Sequence, residues 1–219
     1  MTSFARRYLD PASRLGEVLF GLIMVLTVTS TAGLTMAEGR EGVRQLLFAA
    51  IGCNLAWAII DAIMYLMNCL TVRGGKLRLI RAVQNARDSQ TALALIQEEV
   101  EPELQSLLAP EDATAFSQSA LEPIGRAKIV PVTLTKEDFY GALACFWLVL
   151  IACLPAALPF LIFSTPRFAL RVSNFLLIVL LFLIGRAWAR YVKANPLVAA
   201  SAMVAIGLAL VGVAVLLGG

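Results

Sequence analysis

One acidic residue stands where an acid is hard to keep. Asp61 lies inside the apolar run Gln45–Leu70, many residues from either end. If that run crosses a bilayer, Asp61 is close to the midplane, where an ionised carboxylate costs at least about 2.5 kcal/mol. Asn54, Asp61 and Asn68 are spaced seven apart, so successive members lie within about 20° of one another around an α-helix. Trp57, Met64 and Tyr65 lie beside that stripe. A face of two carboxamides, a carboxylate, a thioether and a phenol is unsuited to lipid and needs protein or water opposite it. Two chemistries fit. The face is one wall of a cation or proton pathway, the default for intramembrane acids, or it is a hydrogen-bond network between helices with Asp61 neutral.

A facing wall is available in the first apolar run. Met24, Thr27 and Thr31 follow i, i+3, i+7 spacing within a hydroxyl-rich stretch. Such hydroxyls either line a path or bond their own backbone. The sulfurs of Met24 and Met64 are soft ligands for a transition metal or simple space fillers. Glu17, one turn from Arg14, reads as an interfacial ion pair with Arg14 or Arg186, or as an acid receiving ions from the cytoplasm. A second acidic group lies in a polar segment, where Glu98, Glu99, Glu101, Glu103, Glu111, Asp112 and Glu122 fall within 25 residues. These are a solvated surface, or oxygen ligands for Mn²⁺, Fe²⁺ or Mg²⁺.

The elements that must position these groups follow from composition. Of 219 residues, 59% are hydrophobic and 15% charged, and none is histidine; mean hydropathy is +0.81. A water-soluble enzyme, a His-ligated haem and an imidazole proton relay are excluded. No GxSxG, DxD or Walker loop is present either, so the expectation is not an enzyme, and nothing addresses nucleic acid. The four cysteines all fall in apolar stretches without a CxxC pair and read as small buried residues. A hydrocarbon core about 30 Å thick needs roughly 20 apolar residues per helix. Five runs qualify: Leu15–Met36, Gln45–Leu70, Phe139–Phe163, Phe168–Trp188 and Pro196–Leu217. The expected architecture is an all-α membrane protein of five transmembrane helices, with a small helical cytoplasmic insertion between spans two and three. Its parts are an N-terminal segment (1–14), spans one and two (15–70), the acidic insertion (71–138) and spans three to five (139–219).

Charge sets the orientation. Fourteen of the 18 Lys and Arg residues lie on the side shared by the N-terminus, the insertion and the loop before span five, against four on the other side. The positive-inside bias therefore puts the N-terminus in the cytoplasm and the C-terminus outside. Within the insertion, Arg73–Arg87 reads as a basic helix continuing from span two. Asp88 or Ser89 caps a second helix, Pro102 and Pro110 punctuate, a third helix covers Glu111–Leu121, and Pro123 and Pro131 close the segment. Thr135-Lys136-Glu137-Asp138 resembles a capping box that starts span three. Pro155 and Pro159 favour a kink in that span. Ser201, Ala205 and Ala209 offer a close-packing face in span five to another helix or subunit.

This layout resembles the vacuolar iron transporter family. Gly21-Leu22-Ile23-Met24-Val25-Leu26-Thr27-Val28 is similar to that family's Gly-Leu-x-Asp-Gly-Leu-Thr-Val run, with Met24 at the metal-binding aspartate. Asn54-Leu55-Ala56-Trp57-Ala58-Ile59-Ile60-Asp61-Ala62 can be laid on its Glu-Leu-x-x-Gly-x-x-Ser-Met run. Asn54 then replaces a glutamate, Asp61 a serine and Ala62 a methionine. The resemblance implies a divergent bacterial branch in the inner membrane that exports Fe²⁺ or Mn²⁺ against protons, with the divalent metal as substrate and no covalent cofactor. It also implies a homodimer in which Met24 and Thr27 meet their symmetry mates. The alternative is a non-transporting dimeric membrane protein whose cytoplasmic acidic domain binds metal or a partner.

Overall fold

The computed structural model describes residues 2–35, 40–104 and 109–217, with side chains left out at 2, 3, 32–35, 40 and 100–104. Among these residues every regular element is an α-helix. In chain order they are α1 (Thr2–Tyr8), α2 (Pro11–Thr35), α3 (Arg40–Gln84), α4 (Ser89–Leu104), α5 (Pro110–Gly125), α6 (Lys136–Ala152), α7 (Leu154–Ile162), α8 (Pro166–Val192) and α9 (Pro196–Leu216). Five stretches are long and apolar enough to cross a membrane: Pro11–Thr31, Glu41–Gln84, Lys136–Ile162, Pro166–Val192 and Pro196–Leu216. The protein is an all-α membrane protein with five candidate spans, as composition requires.

Local chemistry sets several helix ends. Asp10 caps α2: its Oδ1 accepts from the backbone N–H groups of Ala12 and Ser13 at 2.8 and 3.0 Å. Pro11 holds the first helical position, where a missing N–H costs nothing. Asn195 does the same for α9, accepting from Leu197 N at 2.9 Å ahead of Pro196. Asp88, one of two expected caps, starts α4 by accepting from Thr91 N at 2.7 Å. Span three is interrupted at Cys153, between α6 and α7, one turn-forming residue before the Leu154-Pro155 start of α7. Cys153 keeps right-handed helical angles (φ −80°, ψ −19°), while the helical hydrogen bonding has its break at Pro155, as expected of a proline. Ser173 of α8 steadies it by donating to the Ala156 carbonyl at 2.8 Å.

Hydrogen bonding to Ser13 and to the helix amides holds the Asp10 carboxyl below its ordinary range. A depressed value contributes stability above the unfolded-state value, and that contribution is lost as pH falls through the folded-state value. Asp10→Ala should destabilise the first turn of α2 by about 1 kcal/mol. Amide exchange at Ala12 and Ser13 checks this, with faster exchange expected in the variant at neutral pH and a smaller difference between variant and native chain in acid.

The chain divides into two compact units, Met1–Tyr65 with Lys136–Gly219, and Leu66–Thr135. The first is the helical bundle. Its core gathers Leu22, Val25 and Leu26 of α2, Ala50 of α3, Ala152, Cys153 and Ala156 around the break, Leu177 and Leu181 of α8, and Val211 of α9. Many large apolar side chains point out of it, among them Leu161, Leu183 and Leu216 at 79%, 50% and 87% exposure, which suits a lipid surround. A short helix, α1, was absent from the sequence expectation for 1–14. Its Ala5, with Leu9 just beyond, packs on Ala144 and Cys145 of α6, and Phe4 and Tyr8 meet the Tyr140 ring at 6.2 and 5.3 Å. At seven residues it is too short for periodicity to reveal.

The second unit closes on its own small core. Val83 near the end of α3 packs with Ala92 and Ile96 of α4, covered by Leu121 and Ile124 of α5. Helix α3 runs on past Leu70 as expected. Pro102 and Pro123 do not end their helices, because α4 continues to Leu104 and α5 to Gly125. A proline in the last turn removes one donor and lets the helix stop just after it.

Candidate functional site

Helix α3 meets the bundle along one narrow seam. Leu46, Ala50, Asn54 and Ala58 are buried at every fourth position, and half-buried Asp61 and Tyr65 continue the line. The opposite side carries Ile51, Leu55, Ile59, Ile63 and Met67, each at least 40% exposed. Two members of the expected polar face fall outside the seam, since Met64 is 58% exposed and Asn68 is exposed as well.

Three layers stack along the contact of α2 with α3. At the inner one, Asn54 is completely buried beside Cys153, and its Nδ2 donates to the Gly21 carbonyl at 3.4 Å. A Cβ at Gly21 would lie 2.8 Å from Ala152 Cβ and 2.9 Å from the Val149 carbonyl, so glycine lets α2 and α6 touch at this level. In the next layer, the rings of Phe20 and Trp57 meet edge to face with centroids 5.3 Å apart. The third layer is the chemical one. Glu17 of α2 and Asp61 of α3 bring their carboxyl groups within hydrogen-bonding reach of each other, and the Cys145 thiol of α6 reaches Glu17. One turn further on, the Tyr65 phenol lies against Gly141 of α6, where it fills the space a Cβ would need.

Among the described residues no basic side chain stands against either carboxyl. Asp61 Oδ2 is buried and makes no hydrogen bond. Two like charges this close in a low-dielectric surround repel strongly, so the pair needs a proton or a cation between its oxygens.

The position corrects one expectation. Glu17 is not paired with Arg14 or Arg186, because it turns inward to Asp61 while Arg14 Nε donates to the Asp10 carbonyl at 3.3 Å. Residues three apart on a helix can pair, but here the packing of α2 on α3 turns Glu17 to Asp61. Glu17 is six residues past Pro11 and Cys145 nine past Lys136, or about 9 and 14 Å along their helices.

The remaining candidates are scattered. Met24 is half-buried, and Thr27 bonds its own helix at the Ile23 carbonyl, 2.9 Å away. Among the described residues the buried Thr31 hydroxyl has no hydrogen-bond partner. Sequence reasoning passed over Thr29, which is 1% exposed and bridges to Asn174 Oδ1 of α8 at 2.8 Å. It also passed over Cys145, whose place beside Glu17 no spacing within one helix shows. In the second unit, Glu98 and Glu99 are exposed and share a shallow cleft with Arg78. Glu111 is exposed in the first turn of α5, and Glu122 pairs with Arg126 at 2.6 Å. The side chains of Glu101 and Glu103 lie outside the described residues. Among the described residues no three Asp, Glu or Cys side chains are gathered to hold a metal ion. A pair of carboxyls with no third ligand closed on it suits a proton or an ion in passage better than a resident metal.

Fold and site together define a polytopic helical membrane protein with two acids facing each other inside its bundle. No family model and no curated protein matches the chain.

Proposed function

We propose that this chain is a proton-coupled transporter that exports a divalent transition metal, Fe²⁺ or Mn²⁺, from the cytoplasm. The observation that carries the reading is the Glu17–Asp61 pair, two carboxyls from different spans with no basic residue to neutralise them. A protonated pair carries one negative charge at most. A divalent cation arriving between the oxygens displaces the shared proton and leaves the site neutral, and a proton arriving from the other side reverses the exchange. The charge asymmetry supports a cytoplasmic N-terminus. The resemblance to vacuolar iron transporters supports the same substrates and a homodimer.

The test is the full chain reconstituted in vesicles carrying a pH-sensitive dye. Fe²⁺ or Mn²⁺ gradients should drive proton movement in the opposite direction, with Mg²⁺ much less effective. Vesicles that pass neither metal nor protons would overturn the proposal and favour a non-transporting membrane protein.

A further inference from the structure

A cleft in the bundle carries the charge opposite to that of the carboxyl pair. It encloses about 610 Å³ between α1, α2, α6 and α8. Arg6 of α1, Arg14 of α2 and Arg190 of α8 line it, so three helices each bring one guanidinium. Its remaining wall is apolar, with Val18, Leu148 and Ala187 among the residues forming it. Among the described residues no carboxylate pairs with any of the three arginines. Asp10, four residues from both Arg6 and Arg14, spends its oxygens on the start of α2, Glu17 turns to Asp61, and among the described residues Arg14 Nε donates to the Asp10 carbonyl.

Three arginines lining one cleft, with no acid paired to them among the described residues, make it a basic site suited to an anion. The level of the cleft identifies its source. Trp188 and Tyr191 on α8 are 39% and 56% exposed beside it, and Tyr140 on α6 is 45% exposed. Exposed amphipathic rings of this kind mark the boundary between hydrocarbon and headgroups. A cleft with cations at one part and an apolar wall at another, opening at that boundary, matches a headgroup phosphate followed by an acyl chain.

We infer that the cleft between α1, α2, α6 and α8 is a binding site for an anionic phospholipid, whose phosphate is held by Arg6, Arg14 and Arg190 and whose chain lies along Val18, Leu148 and Ala187. Basic pockets between transmembrane helices commonly select such lipids. Guanidinium suits the task better than ammonium, since its fork meets two phosphate oxygens at once. The site does not rest on the transport reading, since neither Glu17 nor Asp61 lines it.

Native mass spectrometry of the full chain, released from micelles containing equal phosphatidylglycerol and phosphatidylcholine, tests this. The native chain should retain phosphatidylglycerol at least tenfold over phosphatidylcholine. Arg6→Gln/Arg14→Gln/Arg190→Gln should bring that preference to near parity, and Ala187→Phe, which fills the apolar wall and keeps every charge, should lower retention of both. Added inorganic phosphate at millimolar concentration should not displace the lipid. Equal retention of the two lipids by the native chain, an undiminished preference in the triple variant, or displacement by free phosphate would each overturn the inference. If the triple variant fails to fold, Ala187→Phe decides alone, and unchanged lipid retention in it rejects the site.

Discussion

Asp61→Asn is expected to abolish metal-driven proton movement while leaving the protein at least as stable as before. The two readouts move in opposite directions because of what the carboxylate costs. Keeping a charged acid within a span is unfavourable by at least about 2.5 kcal/mol. If a visiting ion offsets that cost, loss of the charge weakens ion occupancy by about 60-fold, at 1.4 kcal/mol per tenfold. The amide carries no such cost, and it can donate to Glu17, so the thermal midpoint should hold or rise. Glu17→Gln should behave in the same way. The double variant should be little worse than either single one, because both act on one shared site. A structural network predicts the reverse pattern. There, replacing one partner strands the other, stability falls by about 1–3 kcal/mol, and flux is untouched. Flux in vesicles and unfolding midpoints in detergent, measured on the same variants, separate the two.

The sequence carried the number of spans because a hydrophobic run of bilayer length has few other uses, and it carried the importance of Asp61 because an acid inside such a run is expensive. Periodicity also indicated the inward face of α3, though only in part. Spacing by seven grouped Asn54, Asp61 and Asn68, but a seam lasts only as long as a neighbouring helix follows it, and Asn68 and Met64 are exposed. The partner of Asp61 was not legible. Within α2, Glu17 has Arg14 as its obvious neighbour, and only the packing of α2, α3 and α6 turns it toward Asp61 and Cys145. Threonine shows the same limit. Thr27, Thr29 and Thr31 look equivalent in sequence, yet Thr29 finds Asn174 on α8 and Thr27 returns to its own backbone. Helix α1 was invisible for a different reason, since seven residues give barely two turns for a pattern to show.

Gly185→Ala should be among the most damaging single-methyl changes in the bundle. A Cβ built there would stand 2.7 Å from Ala200 Cα, 2.8 Å from the Ala199 carbonyl and 2.9 Å from Met203 Cβ. Two of these are backbone atoms, so no rotamer change relieves the overlap and α9 itself must move off α8. Overpacking of this kind costs about 1–3 kcal/mol, and in a membrane, where helix association rests on close packing of small residues, little else compensates. The contact it would break is the one that seats α9. Ala199 and Ala200 are 5% and 0% exposed against α8, while Ser201, Ala205 and Ala209, the small-residue face expected from sequence, are exposed in the single chain. Gly52→Ala is the matched control, because nothing lies within 4 Å of its added methyl and alanine favours a helix by up to about 1 kcal/mol. Unfolding in mild detergent should therefore rank Gly52→Ala at or above the native chain and Gly185→Ala well below it. Equal stability of the two variants would mean that α8 and α9 do not cross through Gly185.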